Sequence, residues 1–167
     1  MGSGKQEHHI RDFPWRVRVP RKIVPDIIGK QVLCEFSREA TVLEACKMMA
    51  ERHVGAILIT SKGRLEGIFT ERDAAVRVVA QGRDPSETKL AAVMTKNPEV
   101  LGPGDSPEAA LERMRAGDFR HLPVVDGGKV VGVVSIRDLY ASVKGQLEDD
   151  LRSRDAFIFG NGHGGLS

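Results

Sequence analysis

Apolar positions along this chain alternate between helical and extended periods in an order that occurs twice. Val42, Ala45, Cys46, Met49 and Ala50 recur at spacings of three and four, marking one buried face of a helix that ends near Arg52. Thr41-Val42-Leu43-Glu44 supplies a capping box at its start, in which hydroxyl and carboxylate satisfy the free amides of the first turn. A short apolar run from Val32 to Phe36 predicts a strand before that helix. After it, Ala56 to Thr60 and Leu65 to Phe69, joined through Lys62-Gly63, predict a hairpin. Thr70 then caps a second helix, predicted to reach about Ala80, and the polar stretch Gln81 to Ser86 predicts a linker.

The second half repeats this plan. Leu90 to Met94 predicts a short helical turn and Glu99 to Leu101 a strand. Ser106-Pro107-Glu108 starts a helix with Ser at the cap and Pro at the first helical position, and Leu111 and Met114 are expected to point inward. Leu122 to Val125 and Lys129 to Val134, joined through Asp126-Gly127-Gly128, predict the second hairpin. The final helical pattern runs through Leu139, Tyr140, Val143, Leu147 and Leu151, so the last helix is expected to outrun its counterpart.

The clearest sign of duplication is Gly67-Ile68-Phe69-Thr70-Glu71-Arg72-Asp73, which returns as Gly132-Val133-Val134-Ser135-Ile136-Arg137-Asp138. The offset of 65 residues, Arg72 to Arg137, also carries Ala45 onto Ala110, Met49 onto Met114 and Gly63 onto Gly128 without a gap. Each copy reads strand, helix, strand, strand, helix, and is too small to bury both faces of its elements alone.

Composition changes this picture little. With 41% hydrophobic and 29% charged residues in 167, the chain reads as a globular protein of one domain or two packed halves. Its apolar runs are strand-sized, far short of the roughly 20 residues of a membrane helix. Cys34 and Cys46 have no metal-like or disulfide-scaffold spacing, and the N-terminus lacks an apolar signal core, so a cytoplasmic setting is expected. Metal-spaced His/Cys clusters, a nucleophile elbow and a Walker loop are all missing, so neither a metal site nor an enzyme is expected. Gly160-Asn161-Gly162-His163-Gly164-Gly165 satisfies G-x-G-x-x-G in form only, since no strand-to-helix turn surrounds it. Net charge is +2, unevenly placed: residues 1–24 hold six basic against two acidic residues, a local +4, leaving −2 elsewhere. Within that arm the period-two alternation of Trp15, Val17 and Val19 against Arg16 and Arg18 suits an extended segment lying on an apolar surface.

In element order and in the doubled Gly-apolar-apolar-Thr/Ser-x-Arg-Asp signature, the chain resembles a stand-alone pair of cystathionine-beta-synthase (CBS) domains, or Bateman module. Val93-Met94-Thr95 and Arg120-His121-Leu122-Pro123-Val124-Val125-Asp126 extend the likeness, which covers roughly residues 25 to 145. The resemblance implies an α/β (α+β) fold of tandem repeats packed sheet against sheet about a pseudo-twofold axis, with pairs of modules joining as a homodimer. Its divisions would be a basic arm at 1–24, repeats at 25–83 and 84–145, and an extended helix end with a flexible Gly-rich tail at 146–167. It also implies an adenosyl ligand between the repeats: AMP, ADP, ATP, NAD(H) or S-adenosylmethionine. The expected output is regulatory, through helix packing or dimer geometry, and passes to an unidentified effector protein.

Each candidate residue has a plainer reading beside the functional one. Thr70 to Asp73 and Ser135 to Asp138 are helix-capping patterns in their own right, worth about 1 kcal/mol. A carboxylate at Asp73 or Asp138 can equally accept hydrogen bonds from a ribose diol, while Thr70 or Ser135 donates to sugar or phosphate beside free helix amides. By resemblance, Asp73 and Asp138 bind ribose and Thr70 and Ser135 flank them. Arg72 and Arg137 offer planar donors to phosphate or form outward ion pairs. Arg120 and His121 are phosphate candidates in the second copy, where the first copy has only Gly55 and Ala56, so unequal clefts are expected. Ala56, Ile57, Leu122, Pro123 and Val124 would serve as adenine walls or as core. The competing reading is a nucleic-acid or protein-interaction module that uses the basic arm around Trp15.

Overall fold

The computed structural model describes residues 20–160, with side chains through residue 155. The alternation around Trp15 and the Gly-rich tail after residue 160 lie outside the described residues. The first unit comprises β1 (Glu35–Phe36), α1 (Val42–Arg52), β2 (Ala56–Ser61), β3 (Arg64–Thr70) and α2 (Glu71–Asp73), which continues as a π-helical turn over Ala74–Val79. Next come α3 (Leu90–Val93), β4 (Thr95–Lys96), α4 (Pro107–Gly117), β5 (His121–Asp126), β6 (Lys129–Ser135) and the 25-residue α5 (Ile136–Gly160). One sheet has the order β1-β2-β3-β4, parallel only between β1 and β2; the other is the β5-β6 hairpin.

Helix starts and hairpins follow local chemistry. Thr41 and Glu44 form the expected capping box, and Ser106 accepts from the Ala109 amide with Pro107 at the first turn. The two short strands depart from expectation. The run from Val32 shrinks to Glu35–Phe36 because only those two residues meet β2, at Leu58 and Ile59, while Val32 stays 83% exposed. Glu99 to Leu101 reduces to a single bridge, with Leu101 donating to Pro123 O and accepting from the Val125 amide. Pro98 and the Gly102-Pro103 pair flank it and leave no room for a longer ladder. Met114 is buried as expected, whereas Leu111 is only partly covered at the edge of the second core.

Two hydrophobic cores result, and each is completed by residues that precede the other unit. Val42, Ala45, Met49, Ile57, Ile59, Phe69 and Val78 are joined by Leu90, Val93 and Met94 from the segment leading into the second unit. Leu101, Ala110, Met114, Leu122, Val124, Val134 and Leu139 are joined by Ile23 and Ile28 from the segment leading into the first. Backbone pairing follows the same exchange. β4 pairs with β3 at Gly67↔Lys96 and Ile68↔Thr95. At the equivalent place in β6 a side chain takes the strand's part: Gln31 Nε2 donates to Val133 O at 3.2 Å, and the Val133 amide donates to Gln31 Oε1 at 2.9 Å.

Gly67 and Gly132, one repeat apart, permit this approach. A β-carbon at Gly67 would lie 2.6 Å from Met94 Sδ and 2.9 Å from Thr95 O; one at Gly132 would lie 2.3 Å from Ile28 Cδ1 and 3.1 Å from Gln31 Oε1. Side-chain tips can swing aside, but the Thr95 carbonyl is held in the ladder. Gly67→Ala is therefore expected to destabilise the fold by about 1–3 kcal/mol, and by more than Gly132→Ala does. Urea unfolding of the two variants measures both the size and the order of the effect.

Candidate functional site

Both copies of the signature fold as capping boxes. The Thr70 amide donates to Asp73 Oδ2 at 2.9 Å, the Thr70 hydroxyl lies 2.9 Å from the same oxygen, and the Asp73 amide donates back to Thr70 Oγ1 at 3.2 Å. Ser135 and Asp138 repeat the three bonds at 2.8, 2.7 and 3.2 Å. The plain capping reading is thus realised twice. Each box also sets a carboxylate beside the free amides of a helix N-terminus, immediately after the second strand of a hairpin.

Only the first box opens onto the cleft described here, a volume of about 490 Å³ between the units. Thr70, Arg72 and Asp73 line it from the first unit, and Arg120 and His121 from the second. Ile68, Val76, Phe119 and Leu122 give it apolar surface. Ser135, Arg137 and Asp138 lie outside this cleft. Of the five apolar wall candidates Leu122 alone reaches it; Ala56, Ile57, Pro123 and Val124 are buried in the cores. β2 and β5 bury consecutive residues on both faces, 56–59 and 122–124, so beside Leu122 the wall comes from Ile68, Val76 and Phe119.

Differences between equivalent positions account for the unequal surroundings. Arg72 Nη1 sits 3.0 Å from Asp118 Oδ2 and donates to Asp118 O at 3.2 Å, so this arginine links the units rather than standing free. Asp118 is the left-handed C-cap of α4, and its counterpart after α1 is His53, which offers no carboxylate. Arg137 has no ion pair among the described residues. His121 packs where its neighbour lacks a side chain: a β-carbon on Gly55 would fall 3.1 Å from the imidazole Cε1 and Nε2, and 3.3 Å from Glu71 Oε2. Burial pulls the His121 imidazole below its ordinary value of 6.5; Glu71 and Asp138 oppose that shift, and Arg120 and Arg137 add to it.

Sequence reasoning missed Arg77. Its Nε lies 3.3 Å from Asp73 Oδ1, its Nη1 donates to Val93 O at 2.8 Å, and its Nη2 donates to Thr95 Oγ1 at 3.1 Å. The available signal was the Asp73–Arg77 spacing of four on one helix face. Glu71, Asp118 and Phe119 also line the cleft without a sequence signal of their own.

Two βαββα units that complete one another's cores, with a cleft between them, define a tandem-repeat module. The chain belongs to the CBS-domain family: the model described as "CBS domain" matches residues 34–79 and 90–145. The CBS domain-containing protein YhcV of Bacillus subtilis is 38% identical over 116 residues, covering 70% of this chain and 81% of the relative. CBSCBSPB2 of Arabidopsis thaliana is 44% identical over 97 residues, 58% of this chain but 18% of that longer protein, so the match spans under a fifth of such plant relatives. Among solved structures, CBS domain protein PAE2072 from Pyrobaculum aerophilum, complexed with AMP, is 31% identical with a TM-score of 0.60, covering 65% of this chain and 84% of that one. No helix among the described residues is long and apolar enough to cross a membrane.

A depressed imidazole value means that the folded state binds fewer protons than the unfolded chain. The stability tied to neutral His121 is present above about pH 6.5 and is lost as pH falls through that value toward the lowered one. The melting temperature of the wild type is expected to drop more steeply than that of His121→Gln between pH 7.5 and about pH 5. Parallel curves would remove His121 as the source of that slope.

Proposed function

We propose that this chain is a non-enzymatic regulatory module that binds an adenine nucleotide in the cleft between its CBS units. The observation that carries this reading is the meeting of a capped carboxylate, Thr70 with Asp73, and two basic side chains of the other unit, Arg120 and His121, across one cleft. A carboxylate facing a ribose diol, and a guanidinium and an imidazole N–H facing phosphate, are polar groups that suit an AMP-like molecule. Ile68 and Leu122 offer apolar surface to the base. A relative of the same fold, PAE2072, is complexed with AMP, which supports an adenosyl ligand of this class. ADP, ATP, NAD(H) and S-adenosylmethionine share the adenosyl part and differ in what they present to Arg120 and His121. Output would pass to an effector protein through helix packing or through a homodimer in the cytoplasm. A ligand drives such a change only as far as it prefers one arrangement over the other.

Calorimetric titration with adenosine, AMP, ATP and NADH separates the roles. AMP is expected to bind at least about tenfold more tightly than adenosine, and Arg120→Ala or His121→Ala to erase most of that preference. Asp73→Ala is expected to weaken every adenosyl ligand in this cleft by about tenfold or more. Equal affinities for adenosine and AMP would overturn the phosphate assignment. Retention of all ligands by both Asp73→Ala and Asp138→Ala would overturn the ribose assignment.

A further inference from the structure

A carboxylate offers about four lone-pair directions, and both oxygens of Asp73 already face a partner. Oδ2 faces both the amide and the hydroxyl of Thr70, and Oδ1 faces Arg77 Nε at 3.3 Å. The Arg77 contact is an ion pair, and a ribose diol brings two donors that would compete with it. Asp138 carries the same capping bonds, but the residue four positions on is Ser142, so among the described residues no guanidinium pairs with it.

Positions 77 and 142, one repeat apart, are equivalent anchors between a closing helix and the segment that leads into the other unit. At position 142 the arginine comes from the leading segment: Arg21 Nη1 donates to Ser142 Oγ at 3.0 Å and to Ser142 O at 3.3 Å. At position 77 the arginine is on the helix and reaches Val93 O and Thr95 Oγ1. That segment buries Val93 and Met94 in the first core and pairs with β3 as β4. The arrangement at position 77 alone ties the anchor to a cleft carboxylate. Because a guanidinium is planar, its three contacts shift together.

We propose that Arg77 is the positioning residue of this cleft: a ribose competes with it for Asp73 Oδ1, and its release is transmitted to the Val93–Thr95 segment that joins the units. This rests on the adenosyl-ligand reading above. Adenosine is the probe, since it has no phosphate to attract a cation. Arg77→Met is expected to bind adenosine about threefold to tenfold more tightly than the wild type, the competitor having gone. Saturating adenosine is expected to change amide exchange at residues 93–97 by about twofold or more in the wild type, and to leave it unchanged in Arg77→Met. Arg77→Lys retains a charge near Asp73 but cannot hold both Val93 O and Thr95 Oγ1, so near-wild-type affinity with a lost exchange response is expected; this variant also serves if Arg77→Met fails to fold. Equal or weaker adenosine binding by Arg77→Met, or an exchange response that survives in Arg77→Lys, overturns the proposal. A wild type that binds no adenosyl ligand overturns the function and the relay together, whereas binding indifferent to Arg77 overturns the relay alone.

Discussion

The contact on which the rest of this molecule depends is the approach of each leading segment to a glycine in the other unit's last strand. Met94 presses onto Gly67 and Ile28 onto Gly132, at distances a β-carbon would forbid. Each glycine lies three residues before its capping Thr70 or Ser135. The contact that closes a core therefore also fixes where that unit's helix N-terminus points. Neither core is complete without the exchange, because Leu90, Val93 and Met94 belong to one and Ile23 and Ile28 to the other. A small βαββα unit buries too little surface to stand alone, and exchanging a segment is a short-range way for two of them to share one fold.

Given that shared plan, a few substitutions make the halves differ. Asp118 gives Arg72 a carboxylate across the junction where His53 gives Arg137 none. Gly55 leaves room for the His121 ring, and at its equivalent position stands Arg120. Arg77 and Ser142 reverse the direction from which the same anchor is donated. The hairpin-strand and first-helix boundaries match between the copies, whereas the closing helix turns π-helical over Ala74–Val79 around Arg77 and stays α-helical around Ser142.

What the sequence disclosed was what is decided locally. Both capping boxes, both hairpins and the 65-residue period were legible because each rests on residues within a few positions of one another. Family likeness then supplied the expectation of a ligand between the units. The exchange itself was not legible: nothing in Ile28 to Gln31 announces that a glutamine amide will stand in for a strand opposite Val133. The shortening of β1 and the loss of a strand at Glu99 to Leu101 were likewise set by where partners end, not by apolar pattern. Ile57 shows the same limit, since a β2 residue of the right type was equally suited to wall or core and packing alone decides. Arg77 was the avoidable omission, because its spacing from Asp73 is a helix-face pair visible in the sequence.

Capping and binding place different demands on one carboxylate, and the geometry separates them by oxygen. Oδ2 of Asp73 and of Asp138 is committed to its own Thr70 or Ser135, which orients the carboxylate before any ligand arrives and so lowers the cost of ordering it. Oδ1 is then the variable atom. In the first unit it is paired with Arg77 in the cleft that Arg120 and His121 also line; in the second no arginine pairs with it among the described residues, and the position equivalent to Arg120 is a glycine. On the proposed relay, a ribose at Asp73 would displace Arg77, which is joined to the segment completing a core. A ligand at Asp138 would displace no such partner. Under the adenosyl reading, occupancy of the first cleft would therefore be coupled to packing, whereas Asp138 has no arginine partner of this kind among the described residues.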